Sequence, residues 1–457
     1  MTTSSSSADP VSGEQRLFDP PERPVMGAPE PAVGRPRMKS PVRDQQLMCF
    51  LSLDERVPPD SPVRAVWDLV AQADLSELFA KIQAVEGRPG RNPINPRILM
   101  CLWLFATVEG ISRAREIERL TQRDLMFQWI CGGVSVNRTT LSAFYTACPE
   151  LLSQTLTDHV AALMQANLVN LNRVALDGMR TRANAGKSSF RRDPTLEELQ
   201  RDAREQVERL ARERQDKDHS GGGRPTVKES DAADRLRRVA AAREALAELA
   251  KTREARKKGD GVKTRVSTTD PDARNMKMAN GGFNPAFNVQ FATAAGSDII
   301  VGVDVNNLGS DAGLMEPMVL QVRERFGQVP GELLVDGGYV AVDDITDTTL
   351  IGTTIIAPVK EEAAKRAKGI DPFQPLDKDS PEVGDWRRRM GLAETKEIYK
   401  ERASTAELIN AQARNRNLQQ FTVRGLVKVK IVAMWHALAH NLMRGLSLRI
   451  AAAKAGT

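Results

Sequence analysis

Two stretches of the chain place a short apolar run directly before an acid and a glycine. In RVALDGMRTRAN, Arg173 to Asn184, the run Val174 to Leu176 leads into Asp177. In ELLVDGGY, Glu332 to Tyr339, the run Leu333 to Val335 leads into Asp336 and a glycine pair. Short apolar runs bounded by turn residues read as buried strands. A strand that ends in a carboxylate sets that acid at a sheet edge. Two such strands side by side bring their carboxylates to one edge, where oxygen ligands can hold a divalent metal.

At 457 residues, and roughly 100–200 residues per domain, the chain divides into about three parts. Residues 1–42 are rich in Pro, Gly and Ser with few apolar side chains and no secretory core, so a disordered leader is expected. The 65 Lys and Arg against 59 Asp and Glu leave a net +6, a mild excess compatible with nucleic acid. Cys49, Cys101, Cys131 and Cys148 form no CxxC pair, which supports neither a disulfide framework nor a zinc knuckle and points to a reduced, cytoplasmic setting. The most apolar run, Ile98 to Val108, is short of the ~20 residues that span a bilayer and reads as a buried helix.

Residues 43–170 read as a helical DNA-binding domain. The spacing of Val66, Leu69, Val70 and Leu75 predicts a helix from Pro62. The loop GRPGRNPINP, Gly87 to Pro96, offers Arg88 and Arg91 either as phosphate contacts or as plain loop residues. Further helical segments end at Gly132 and Gly133, and Asn137 is a good N-cap for the helix after them. Helix, glycine turn, then NRTTLSAF resembles a helix-turn-helix, with Arg138, Thr139 and Thr140 turned towards a DNA groove. Any helical hairpin shares that pattern.

Residues 171–447 read as a strand-rich domain interrupted by a charged insertion, 190–262. There Pro194, Thr195 and Glu198 suggest a capping box. Leu196, Leu199, Ala203, Val207 and Leu210 keep coiled-coil-like spacing, Gly221 to Gly223 break the helix, and Leu236, Val239, Leu246 and Leu249 form a second stripe. An antiparallel helical hairpin is expected, either a solvated arm or one that contacts DNA or dimerises. Strands follow at Ala286 to Ala294 and Ile299 to Val305, then a helix, the Asp336 strand, a helix and a strand at Thr354 to Ala357. The fold class is therefore α/β, a mixed sheet preceded by an all-helical domain. Two late helices, Thr395 to Gln419 and Val423 to Ile450, precede a tail, 448–457.

Together VALDGMRTRAN, STTDPDARNMK with GGFNPAFNVQ, LLVDGGY and the helix holding Tyr399, Arg402, Glu407 and Arg414 resemble the DDE transposases of bacterial insertion sequences. GRPGRNPINPRIL, WICGG and the LSAF helix extend the resemblance to the N-terminal region. It implies an RNase H-like core, with Asp177 and Asp336 as the first two catalytic, metal-binding acids. Glu407 would be the third, within a Tyr-Arg-Glu-Lys signature. Arg414 replaces the family's Lys, and four residues rather than three separate Arg402 from Glu407, which leaves Glu394, Glu397 and Glu401 as rivals. On an ideal helix, Tyr399, Arg402, Glu407 and Arg414 fall within roughly 140° of arc. The resemblance further implies two-metal carboxylate catalysis with Mg²⁺, Mn²⁺ as a substitute, and nicking at the element's ends followed by joining of the 3′ ends to target DNA. Its partners would be double-stranded terminal repeats and target DNA, bound by a homodimer or larger synapse associated with the nucleoid, with no membrane.

Other acids read as turn or cap residues: Asp270 and Asp272 in a Pro turn, Asp304 within a strand, Asp311 before a helix. His436 and His440 have helical metal spacing but no third ligand, and His159 and His219 are isolated. The competing readings are a catalytically silent, DNA-binding transposase remnant and, more weakly, a helical scaffold protein.

Overall fold

The central strand β1, Arg173–Arg182, is flanked by partners of opposite direction. The computed structural model describes residues 50–84, 92–217 and 226–455. The leader expected over 1–42, Cys49, Arg88, Arg91, His219 and the run Gly221 to Gly223 lie outside them. Short strands β2, Phe190–Arg191, and β3, Val266–Ser267, pair with each other at the root of the insertion. The main sheet adds β4, Arg274–Lys277, β5, Phe283–Ala294, β6, Ile299–Asn306, β7, Glu332–Leu334, and β8, Thr354–Ile356.

Its order is β4-β5-β1-β7-β8, with β6 also on β5. β5 runs antiparallel to β1 and β6, whereas β7 and β8 are parallel to β1. The β5–β6 hairpin turns where Gly296 and Asp298 adopt left-handed backbone, which only glycine and small polar residues enter readily. The parallel strands need crossovers, supplied by the helices Met315–Phe326 and Val342–Leu350. This curled mixed sheet flanked by helices has the RNase H-like arrangement.

Alternation along β5 splits the core between the two sheet faces. Phe287, Val289 and Phe291 join a cluster with the helix Pro96–Val108 and the final helix, Leu426–Ala455. Ala292 and Ala294 join one with Val319, Leu334 and Trp386. Helices that precede the sheet therefore share its core, and from Leu51 onward the chain forms one compact unit. Pro96–Val108 is almost wholly buried. The helix expected from Pro62 stops at Gln72, with a short helix, Ser76–Ala80, after it. No helix among the described residues is long and apolar enough to cross a membrane.

The insertion is a hairpin of two long helices, Asp193–Lys217 and Val227–Arg256. The capping box is not at Thr195 and Glu198, because the first helix begins upstream at Asp193. It is formed by Thr226 and Glu229 on the second helix. Leu196, Ala242, Leu246 and Val266 make a small core of their own at its base.

Candidate active site

The last paired residues of β1 and β7 are Ala175 and Leu334. Asp177 and Asp336 each lie two residues beyond that pair, so the register extends both acids to the same level on the same side of the sheet. β1 does not end at Asp177 as its sequence suggests. It continues to Arg182 because β5 keeps pairing with it, opposite Phe291 at Asp177 and Ala286 at Arg182. β7 leaves β1 before Asp177, which opens one flank of the acid.

A guanidinium fills the space between the carboxylates. Arg402 Nη2 stands 3.2 Å from Asp177 Oδ1 and 3.7 Å from Asp336 Oδ2. Asn410 Nδ2 donates to Asp177 Oδ2 at 2.8 Å, and Gly178 N donates to Asp177 Oδ1. Burial pushes the Asp177 carboxyl above the usual range; Arg402 and the Gly178 N–H oppose that shift, while Asp336 and Asp311 add to it. Burial likewise raises the Tyr399 hydroxyl, which senses Arg402 and both acids.

The helix Ala393–Arg402, which carries Tyr399 and Arg402, is pinned near its end. Arg173, the first residue of β1, pairs with Glu332 of β7 and with Glu401, each at 2.7 Å. Glu401 is thereby tied to Arg173 and Glu397 to Lys400, away from the Asp177 carboxylate. Between Arg402 and Asn410 the helix widens into a π-turn, Ala403–Glu407. A π-turn holds one more residue than an α-turn, which changes the phase of the helix between Arg402 and Glu407. Glu407 itself is exposed and forms no ion pair among the described residues.

Asp311 differs from its sequence expectation. The cap of the following helix is Asp344, which accepts from Gly313, Met315 and Glu316 N–H groups. Asp311 instead pairs with Arg180 at 2.9 Å and accepts from Asn288 Nδ2 at 2.6 Å and Gln290 Nε2 at 2.9 Å. Gln290 Oε1 accepts from the Tyr339 hydroxyl. This network lies beneath Gly178, on the opposite side of β1 from Asp177. A Cβ on Gly178 would stand 2.5 Å from Gln290 Nε2 and 2.8 Å from Asp311 Oδ1, which explains the glycine after Asp177. The available sequence signal was Asn288 and Gln290, two amides at alternate positions within the run from Phe287 to Phe291.

Beside Gly178 opens a cleft of about 740 Å³ whose lining includes Arg180, Arg182, Lys277, Asn280 and Arg414 and no acid. Arg182, Lys277 and Arg414 form no ion pair among the described residues, so the cleft carries uncompensated positive charge. Arg138, Thr139 and Thr140 do not line it. They begin the helix Arg138–Tyr145, where Asn137 Oδ1 accepts from Thr140 N at 2.9 Å and Arg138 N donates to Glu118.

The remaining candidates have structural partners. Asp270 and Asp272 accept from Gly425 N and Leu426 N and so cap the final helix, and Asp304 pairs with Lys430. His440 Nε2 lies 2.7 Å from Asp298 O, and burial lowers His436 to about 3 and His440 to about 4. Cys101, Cys131 and Cys148 are buried free thiols.

For a hard cation the donor set is of the right kind. Asp177 and Asp336 already share one cationic group, and Asn410 Oδ1 is buried with no hydrogen-bond partner. No group of three His, Cys, Asp or Glu residues among the described residues is gathered closely enough to hold a metal.

Two family models match the chain: Transposase domain (DUF772) over residues 51–147 and Transposase DDE domain over residues 379–446. The second covers Tyr399, Arg402, Glu407 and Asn410, while Asp177 and Asp336 lie between the matched segments. No curated protein and no solved structure matches the chain. Transposase-domain matches on either side of the RNase H-like sheet support a DDE transposase of an insertion sequence.

Proposed function

We propose that the chain cleaves phosphodiester bonds at the ends of its insertion sequence and joins the freed 3′ ends to target DNA. Asp177, Asp336 and Glu407 are its catalytic acids. The observation that carries this reading is the pair Asp177 and Asp336, level on adjacent parallel strands and sharing Arg402. The two acids and Asn410 Oδ1 would hold Mg²⁺, or Mn²⁺ in its place. The ion supplies positive charge at the phosphoryl group as negative charge develops there.

The protein's own groups would do the rest. Arg402, relieved of the carboxylates, is placed to clamp a phosphate bidentately. Tyr399 is half-buried beside it and would pack against the DNA end. Arg414, with Arg182 and Lys277, would steer the phosphate backbone past the acids. Arg138, Thr139 and Thr140 would contact duplex DNA from the helix-turn-helix-like segment, with the protein acting as a homodimer or larger synapse. The reading places activity in the cytoplasm, on the nucleoid.

One observation favours a second reading, a silent DNA-binding remnant: Glu407 is exposed and, among the described residues, gathers with no other acid into a metal-binding group. Strand cleavage of a labelled duplex carrying the element's ends separates the two, with Mg²⁺ or Mn²⁺ and wild type against Asp336→Asn. Metal-dependent cuts lost in the variant establish the transposase chemistry. Binding without cuts in either protein favours the remnant.

A further inference from the structure

The base of the helical hairpin carries a second basic cavity, separate from the acids. It encloses about 620 Å³, and its lining includes Arg191, Arg235, Arg238, Arg424, Thr268 and Thr269 and no acid. Several other arginines of the hairpin are paired. Arg209 pairs with Glu213, Arg212 with Glu208, Arg237 with Asp234, and Arg243 with Asp193 and Glu197. The four cavity arginines form no ion pair among the described residues. Arg235 donates to Gln206, Arg424 to Asn184 O and Arg191 to Phe190 O, all neutral acceptors. Four guanidinium groups without an ion-pair partner around one concavity favour an anion there.

The cavity is joined to the active-site cleft by two chain segments that run together. Arg182 N donates to Gln419 O, Phe421 N to Arg182 O, Asn184 Nδ2 to Thr422 O and Arg424 Nε to Asn184 O. Arg182 and Gln419 line the first cleft, and Arg191 and Arg424 line the second. Five residue steps separate Gln419 from Arg424, at most about 18 Å of chain. That equals the rise of about five base pairs of duplex.

We propose, taking the DNA-handling reading above as given, that Arg191, Arg235, Arg238 and Arg424 form a phosphate-backbone site. It grips duplex DNA within about half a helical turn of the Gln419 end of the first cleft. Its ligand is the sugar-phosphate backbone of a duplex, without base readout, since every donor in the set is a guanidinium or hydroxyl in a wide cavity. The insertion thereby becomes a clamp on DNA flanking the cut.

The test uses the full chain with two pairs of substitutions on different elements, Arg235→Gln with Arg238→Gln and Arg191→Gln with Arg424→Gln. Binding to a fluorescent duplex bearing the element's end, and to a scrambled duplex of equal length, is followed by anisotropy through a salt series. Each lost phosphate contact lowers the slope of log affinity against log salt by about 0.9. Each pair should therefore lower it by about 2, equally on both duplexes, while the matching Arg→Lys pair retains the slope. A wild type that binds DNA beside variants with unchanged slope and affinity overturns the site and leaves the transposase reading standing. Variants that lose self-association but keep the salt slope overturn it in favour of a partner chain. A wild type that binds neither duplex overturns the DNA reading and this site with it.

Discussion

Replacing Arg402 with Gln removes the one cation that two carboxylates share. At 3.2 Å from Asp177 the gross attraction is about 5 kcal/mol at an effective dielectric of ~20. Breaking a buried pair costs ~3–5 kcal/mol. The Arg402 and Asp177 side chains are 14% and 16% exposed, so we expect the lower end, about 3 kcal/mol. Asp336 is 43% exposed and 3.7 Å away; solvent screens that leg, which adds under about 1 kcal/mol. The sign with pH follows from Asp177, whose folded carboxyl is already held above its usual range by burial. Loss of Arg402 raises it further, and a protonated Asp177 needs no counter-charge. The deficit is therefore full at neutral pH and shrinks as pH falls through the raised range. Urea unfolding of both proteins in chelator, at neutral and at mildly acidic pH, measures it. Added Mg²⁺ should stabilise the variant more than the wild type, since the guanidinium no longer competes for the carboxylates. Equal midpoints at neutral pH, or a deficit that does not change with pH, would refute the shared-cation account.

Gly178→Ala should abolish end cleavage and destabilise the chain by about 2 kcal/mol, because the new Cβ meets Gln290 and Asp311 inside 3.0 Å; activity and thermal unfolding together check it. Asp311→Asn removes the anion that collects Arg180, Asn288 and Gln290. It should cost about 3 kcal/mol, and a melting temperature equal to wild type would contradict that role. His440, lowered by burial to about 4 from the ordinary histidine value near 6.5, contributes in the opposite pH sense to a paired histidine. Unfolded chains bind the extra proton between those values, so stability is full above about 6.5 and declines as pH falls towards 4, by up to about 3 kcal/mol. His440→Gln should flatten that decline in chemical denaturation, and an unaltered pH profile would exclude the histidine as its source.

Much of the fold was legible locally. The apolar runs before Asp177 and Asp336, the β5–β6 hairpin, the Asn137 cap and the two-helix insertion follow from periodicity and turn chemistry, which act over a few residues. The boundaries that shifted did so where a neighbour decided them. β1 runs past Asp177 because β5 supplies hydrogen bonds as far as Arg182. The hairpin's capping box sits at Thr226 because the first helix is already under way when Thr195 is reached.

By itself, the sequence determined that two strand-associated acids and one polar helix face existed, and that their residue types suit phosphoryl chemistry. Only the tertiary structure decided which groups converge. Sheet register levels Asp177 with Asp336, a π-turn interrupts the helix between Arg402 and Asn410, and Arg402 rather than another cation lies between the acids. The crossover after β6 delivers Asp311 under Gly178, and the paired segments after Arg182 and Gln419 join two basic clefts. Such convergence is invisible in the chain because charges distant in sequence meet only through strand order and loop path, for which local propensity carries no term.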